Sequence, residues 1–213
     1  MQLYRVPIKI LSPLATSLKG DTIWGHVVWG IANREGDEAV NSFLSDCKKE
    51  EPAFITFSAK EFWVKPEQSD FDIYVLSSYS KERIIQLFEW AFENGFGADS
   101  STGKGKIEVL KEVEEISTKL KGKKYMTLAP FVLPEGIEPW KIDLRSELFV
   151  RSGKIGGAFV SDHVPWKKTV VLYDEGAVFN SEKPVQFIGK LIAGVHQDEK
   201  ICNAGFAPVI PIE

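Results

Sequence analysis

Hydrophobic positions along the chain change period several times, and the changes mark out its elements. Residues 2–11 alternate, which predicts a strand with Leu3, Val6, Ile8 and Ile10 mostly on one face and with Pro7 at an edge or bulge. A loop of small residues, Ser12 to Gly20, precedes a helix on Trp24, Val27, Val28 and Ile31, capped by Asp21 or Thr22 and ended by Asn33 to Gly36. A second helix is predicted over 37–48, with Val40, Phe43 and Leu44 at helical spacing. Strands over 53–58 and 71–77 follow, the latter alternating Phe71, Ile73 and Val75 against Asp72 and Tyr74. Ile84, Ile85, Phe88, Ala91 and Phe92 then form a helical stripe, with Ser80 as its cap and Asn94-Gly95 as its stop. A strand over 106–111 completes a β-α-β-β-α-β series, the ferredoxin-like order, with one helix inserted after the first.

The charged stretch from Glu112 to Lys124 is predicted to be an exposed connection. Strands are expected beyond it at 125–133, 142–150, 168–173, 177–179, 185–192 and 205–212, with a turn at Asp174-Glu175-Gly176 and a lone helix after Pro134. The fold class is therefore α+β, two ferredoxin-like (RRM-like) modules. The first spans 1–115 and carries a glycine-rich loop between its second helix and fourth strand; the second, 124–213, is strand-rich and degenerate.

That loop, Asn94 to Lys106, holds four glycines, three hydroxyl residues and two lysines in thirteen positions. Backbone amides exposed at glycines, with hydroxyls and lysines beside them, suit a phosphate-bearing partner. It is no Walker loop, because five residues separate Gly97 from Gly103 and Lys104 is followed by Gly105. It is no dinucleotide fingerprint either, since Ser100 stands where the third glycine belongs, and the order is helix then strand rather than strand then helix. A glycine C-cap at Gly95 on an ordinary connection is the plain structural alternative.

A net charge of −4 argues against a freestanding nucleic-acid binder, yet 141–168 has six cations (Lys141, Arg145, Arg151, Lys154, Lys167, Lys168) against three anions, a local +3. Cys47 and Cys202 lack metal-ligand spacing, so neither a metal nor a cofactor is expected, and a reduced cytoplasmic protein is. No apolar run approaches the roughly 18 residues that cross a bilayer, so no membrane partner is expected, and the N-terminus has no signal-peptide layout.

Five further blocks join the loop in carrying a resemblance. LKGDTIWGHVVWGI (18–31), GFGADSSTGKGKIEV (95–109), TLAPFVLPE (127–135), RSGKIGG (151–157), WKKTVVLYDEGAVF (166–179) and AGFAPVIPI (204–212) resemble, in order, the RAMP proteins of type III CRISPR effector complexes. The subgroup they resemble is the fourth Csm subunit, although Ala204-Gly205-Phe206 replaces an aromatic–basic–glycine pattern there. The resemblance implies a non-catalytic subunit that binds the 5′ handle of a guide RNA. It also implies docking to the large polymerase/nuclease subunit and contact with an adjacent RAMP backbone subunit. On that basis the RNA contacts would be Gly95, Gly97, Gly103 and Gly105 for close approach, Ser100, Ser101 and Thr102 as donors, and Lys104 and Lys106 for charge. Lys19 and the second segment's Arg151, Lys154, Lys167 and Lys168 complete the candidate set.

Two rival readings belong to other classes. A sister branch of the superfamily cleaves RNA without metal through a histidine base, for which His26 is the candidate here, against a packed histidine as the plainer explanation. His163 and His196 are isolated in sequence. A protein-only adaptor is the other rival, with six tryptophans to supply anchors.

Overall fold

The computed structural model describes residues 1–58, 70–117, 122–155 and 164–212. Trp63, Lys119, Lys121, Gly156, Gly157, Asp162 and His163 lie outside them. The chain divides into two compact units, Met1–Lys119 and Leu120–Glu213.

In the first unit the elements run β1 (Gln2–Ile10), α1 (Gly20–Cys47), β2 (Phe54–Thr56), β3 (Asp70–Ser77), α2 (Lys81–Phe92), β4 (Ile107–Val109) and β5 (Glu114–Ile116). The sheet order is β2-β3-β1-β4, antiparallel throughout, with β5 also on β1. This is the ferredoxin-like arrangement. Tyr4, Val6 and Ile8 of β1 and Ile73 and Val75 of β3 are buried beside Ile84, Leu87, Phe88, Ala91 and Phe92 of α2, so the helical stripe read from the sequence is the core-facing one. Leu3 belongs to the opposite face of β1, and Tyr4 takes the place expected of it.

Pro7 does not mark an edge: β1 is a central strand. Its missing donor is tolerated because β4 pairs with residues 8–10 and β5 with residues 3–5, leaving the partner strand interrupted opposite Pro7. Strand β5 itself departs from the expected charged connection. It is an exposed edge, and Arg5 reaches both Glu114 and Asp72 at 3.2 Å. A short charged segment with no apolar period hides such a strand from hydrophobic patterning.

The two helices expected around Gly36 are one element with a break, since Gly36 sits at φ +80° and ψ −173°. The helix starts at Gly20 without a side-chain cap from its own N-cap residue, Lys19. Its Gly20 N–H instead donates to Ser58 Oγ at 2.9 Å, while Thr56 Oγ1 donates to the Gly20 carbonyl at 2.6 Å. The expected Asp21 or Thr22 cap is thus replaced by the Ser58 hydroxyl, which accepts from the first N–H of the helix, while Thr56 holds the same residue through its carbonyl. Arg34 pairs with Glu93, and Arg83 with Glu35 at 2.6 Å, strapping α1 to α2. Ser80 caps α2 as expected, accepting from Arg83 N at 3.3 Å.

The second unit contains β6 (Lys124–Thr127), β7 (Leu148–Arg151), β8 (Val170–Tyr173), β9 (Val178–Asn180), β10 (Phe187–Ile192) and β11 (Asn203–Pro211). Its main sheet runs β10-β11-β6-β9, and β7 and β8 form a separate ribbon. Tyr125, Ala129, Phe131, Phe179, Ile188 and Val209 centre its core. Among the described residues it has no α-helix. The helix expected after Pro134 is a 3-10 turn at Pro139–Ile142, and the strand expected over 142–150 begins only at Leu148. This is the degeneracy expected of the second module.

Candidate nucleic-acid interface

The glycine loop leaves α2 at Phe92 and returns to the sheet at Ile107. Its first anchor is Phe96, fully buried, with its ring centroid 5.9 Å from Phe92 and 4.6 Å from His26. The Phe96 N–H donates to the Gly105 carbonyl at 2.8 Å, and the Gly105 N–H to the Pro13 carbonyl at 3.0 Å. Gly105 has φ +73°, and a Cβ there would overlap the Phe96 carbonyl and lie 2.7 Å from its nitrogen. Only glycine fits.

The segment between β1 and α1 braces the loop from the other side. Ala98 N–H donates to Thr16 Oγ1 at 2.9 Å, Lys106 N–H to Ser12 Oγ at 2.8 Å, and Leu11 N–H to the Lys106 carbonyl at 2.8 Å. These partners were not singled out in the sequence; a hydroxyl-rich loop following the first strand is the one signal for them. His26 Nε2 accepts the Gly97 N–H at 3.2 Å. Burial drives the imidazole pKa down to about 4, with the Ala91 backbone opposing, so the ring is neutral near pH 7.

Between these anchors the apex faces solvent. Ser100–Thr102 form one 3-10 turn between two left-handed residues, Asp99 (φ +61°) and Gly103 (φ +88°). Thr102 Oγ1 donates back to the Asp99 carbonyl at 2.8 Å. The Ser100 and Ser101 hydroxyls, and the amides of Asp99, Ser100 and Ser101, have no partner among the described residues. Lys104 pairs with Asp99 at 3.0 Å, both half-exposed, while Lys106 is exposed. An exposed pair of this kind is worth about 1 kcal/mol at most and exchanges easily for another anion.

The expected site residues therefore divide. Gly95, Gly97 and Gly105 serve the loop's own packing: a Cβ at Gly95 would lie 2.9 Å from that of Ser100, and one at Gly97 would meet Thr16. Gly103 alone among the four faces open space. Ser100, Ser101, Thr102, Lys104 and Lys106 share the apex, and Lys19 lies at the start of α1, on the bracing segment.

Arg151, Lys154, Lys167 and Lys168 cluster in the second unit around the β7–β8 ribbon and the Lys154–Trp166 bridge. The Arg151 guanidinium lies 4.9 Å from the Phe149 ring centre, and Lys154 Nζ 5.8 Å from that of Trp166, which is 59% exposed. Lys167 turns to its own chain, donating to the Cys202 carbonyl at 2.8 Å and Asn203 Oδ1 at 2.7 Å. Lys168 donates to the Gly194 carbonyl at 3.0 Å. Among the described residues no cluster of ligating side chains could hold a metal ion, and no helix is long and apolar enough to cross a membrane.

No protein-family model matches the sequence, and no curated protein sequence matches it. Solved structures do match along the whole chain. A chain of the Csm3–Csm4 subcomplex of the type III-A CRISPR–Cas interference complex aligns with TM-score 0.58 and 11% identity over 100% of both chains. A RAMP protein described as binding different RNA substrates aligns at 0.51 and 16%, again over 100% of both. A chain of the Csm1–Csm4 cassette in complex with one ATP aligns at 0.52 and 11%, over 100% of this chain and 98% of the other. The chain has the RAMP fold. The likeness is one of architecture, since identity stays at 16% or below in all three. Within the RAMP fold the glycine loop occupies the connection from the second helix to the fourth strand, where its apex leaves the ferredoxin-like sheet edge.

Proposed function

We propose that this chain is a non-catalytic RNA-binding subunit of a type III CRISPR (Csm) interference complex. It grips the 5′ handle of the guide RNA with the apex of the glycine loop, docks the large polymerase/nuclease subunit, and abuts a RAMP backbone subunit. The observation that carries the reading is the apex itself. Two hydroxyls and three amides without partners stand beside a glycine facing open space and two lysines. Single-stranded RNA offers phosphates and 2′-hydroxyls to such a surface, and recognition by backbone contact tolerates an acidic chain elsewhere. The shared fold supports the assignment, since its other bearers include an RNA-binding RAMP protein and chains of Csm subcomplexes. The basic ribbon of the second unit, Arg151, Lys154 and Lys168 above all, is the second candidate contact for the same RNA.

Replacing Ser100 and Ser101 together with Ala removes two donors and leaves the hydrogen bonds within the loop intact. Fluorescence anisotropy at fixed salt is expected to show about tenfold weaker binding to handle-bearing RNA, the loss of one or two charge-assisted hydrogen bonds. Thermal stability should stay unchanged. Equal wild-type affinity for handle-bearing and scrambled RNA, on the isolated chain and on the reconstituted complex, would overturn the handle assignment. Cleavage of the RNA would overturn the non-catalytic one.

A further inference from the structure

Three consecutive residues of the glycine loop are tied down, one by the loop's own return arm and two by segments remote in sequence. Phe96 is held by Gly105 through its N–H, Ala98 by Thr16 Oγ1, and Gly97 between them by His26 Nε2 at 3.2 Å. The same imidazole lies against Phe96, 4.6 Å between ring centres at 35°. On the return side Lys106 is fixed to Ser12 and Leu11. The apex from Asp99 to Lys104 therefore hangs between two fixed ends, and His26 supplies the middle tie of the first.

A backbone amide can donate only to an unprotonated ring nitrogen, so Nε2 presents its lone pair and the ring's proton sits on Nδ1. Burial keeps the ring in that neutral form at pH 7. With Nε2 engaged by Gly97 and Nδ1 protonated, the imidazole has no lone pair left to take a proton from a ribose hydroxyl. A neighbouring carbon skeleton would fill the same space but leave the Gly97 N–H without its acceptor, at the cost of an orphaned donor.

We infer that His26 is a positioning residue, a neutral acceptor that latches Gly97 and thereby pre-sets the loop apex for the RNA backbone, instead of a base acting on the RNA. The inference rests on the RNA-binding reading of the loop. Pre-setting matters because an apex that must be ordered during binding loses affinity to that ordering.

Two substitutions and one spectrum test it. His26→Leu keeps apolar bulk without an acceptor, whereas His26→Gln can present an amide oxygen near the Nε2 position. Hydrogen exchange by mass spectrometry over 94–106 is expected to rise about tenfold in His26→Leu, with handle-RNA affinity falling by a similar factor. His26→Gln should restore both to within about threefold of wild type. No variant, and not the wild type, should cleave the RNA. Should His26→Leu fail to fold, the long-range 1H–15N spectrum of the wild type decides, with the His26 signals assigned by their absence in His26→Gln. A neutral ring protonated on Nδ1 at pH 7 supports the latch; an imidazolium or an Nε2–H tautomer overturns it. Unchanged loop exchange in a folded His26→Leu overturns it too. So does a His26→Gln variant that keeps the loop protected yet binds RNA as poorly as His26→Leu, because the imidazole would then touch the RNA itself. Failure of the wild type to bind RNA sinks the functional reading instead, and the exchange and tautomer results separate that failure from a failure of the latch.

Discussion

Gly105→Ala is expected to destabilise the protein by about 3–5 kcal/mol, the range reached by substitutions that force a backbone to move. Two effects combine there. A non-glycine residue at φ +73° costs about 1–2 kcal/mol by itself. The added Cβ would also overlap the Phe96 carbonyl, a backbone atom fixed by a fully buried ring. Gly103→Ala is the matched control, with φ +88° and nothing within 4 Å of the new Cβ. It should cost only the conformational part, about 1–2 kcal/mol. Denaturant midpoints of the two variants check this, and equal losses would contradict the packing described for Gly105.

Phe96→Ala is expected to cost about 3–5 kcal/mol, as for other fully buried aromatic rings truncated to Ala. Its ring touches Phe92 at the end of α2 and His26 in α1, so the cavity opens where both helices meet the loop. Handle-RNA affinity should fall with stability, because the apex loses one of its two fixed ends. Denaturant unfolding and RNA anisotropy measured on the same preparation check both effects. Wild-type stability would mean that the loop does not hang from the core through this residue.

The ferredoxin-like order was legible because burial imposes it on the sequence. The alternation in β3 and the 3.6-residue stripe of α2 both survive in the observed core, and Ser80 caps where its side-chain chemistry indicates. Features set by tertiary pairing were hidden. Pro7 signals an edge or a bulge in a local reading, and the gap between β4 and β5 is what reconciles it with a central strand. Glu114-Glu115-Ile116 has no apolar period, and the strand it pairs with, including Arg5, lies more than a hundred positions away in the sequence. The N–H of Gly20 at the start of α1 is capped by Ser58 and its carbonyl is bound by Thr56, neither of which a rule of local spacing connects to Gly20.

The loop shows the same division. Its glycine-rich composition marked it correctly as unusual, and its position between α2 and β4 followed from the element order. Composition does not separate a glycine needed for internal packing from one open to a partner. Gly95, Gly97 and Gly105 are packed against their neighbours whereas Gly103 faces open space, a distinction visible only once Thr16, Ser100 and Phe96 are placed around them. The Asp99–Lys104 pair and the His26–Gly97 bond were likewise beyond sequence, since each joins residues whose approach depends on the turn. In the second unit, Leu148, Val150 and Val171 form an exposed apolar face on the β7–β8 ribbon. The strands expected over 142–150 and 168–173 did not tell which face would be covered.

The most direct measurement is the salt dependence of handle-RNA binding by the wild type and by the Lys104→Ala, Lys106→Ala double variant. Each phosphate neutralised on a single strand contributes about −0.7 to the slope of log K against log salt, so the variant's slope should be shallower by about 1.4. An identical slope for the two proteins would contradict the account, because the loop apex would then make no ionic contact with the RNA.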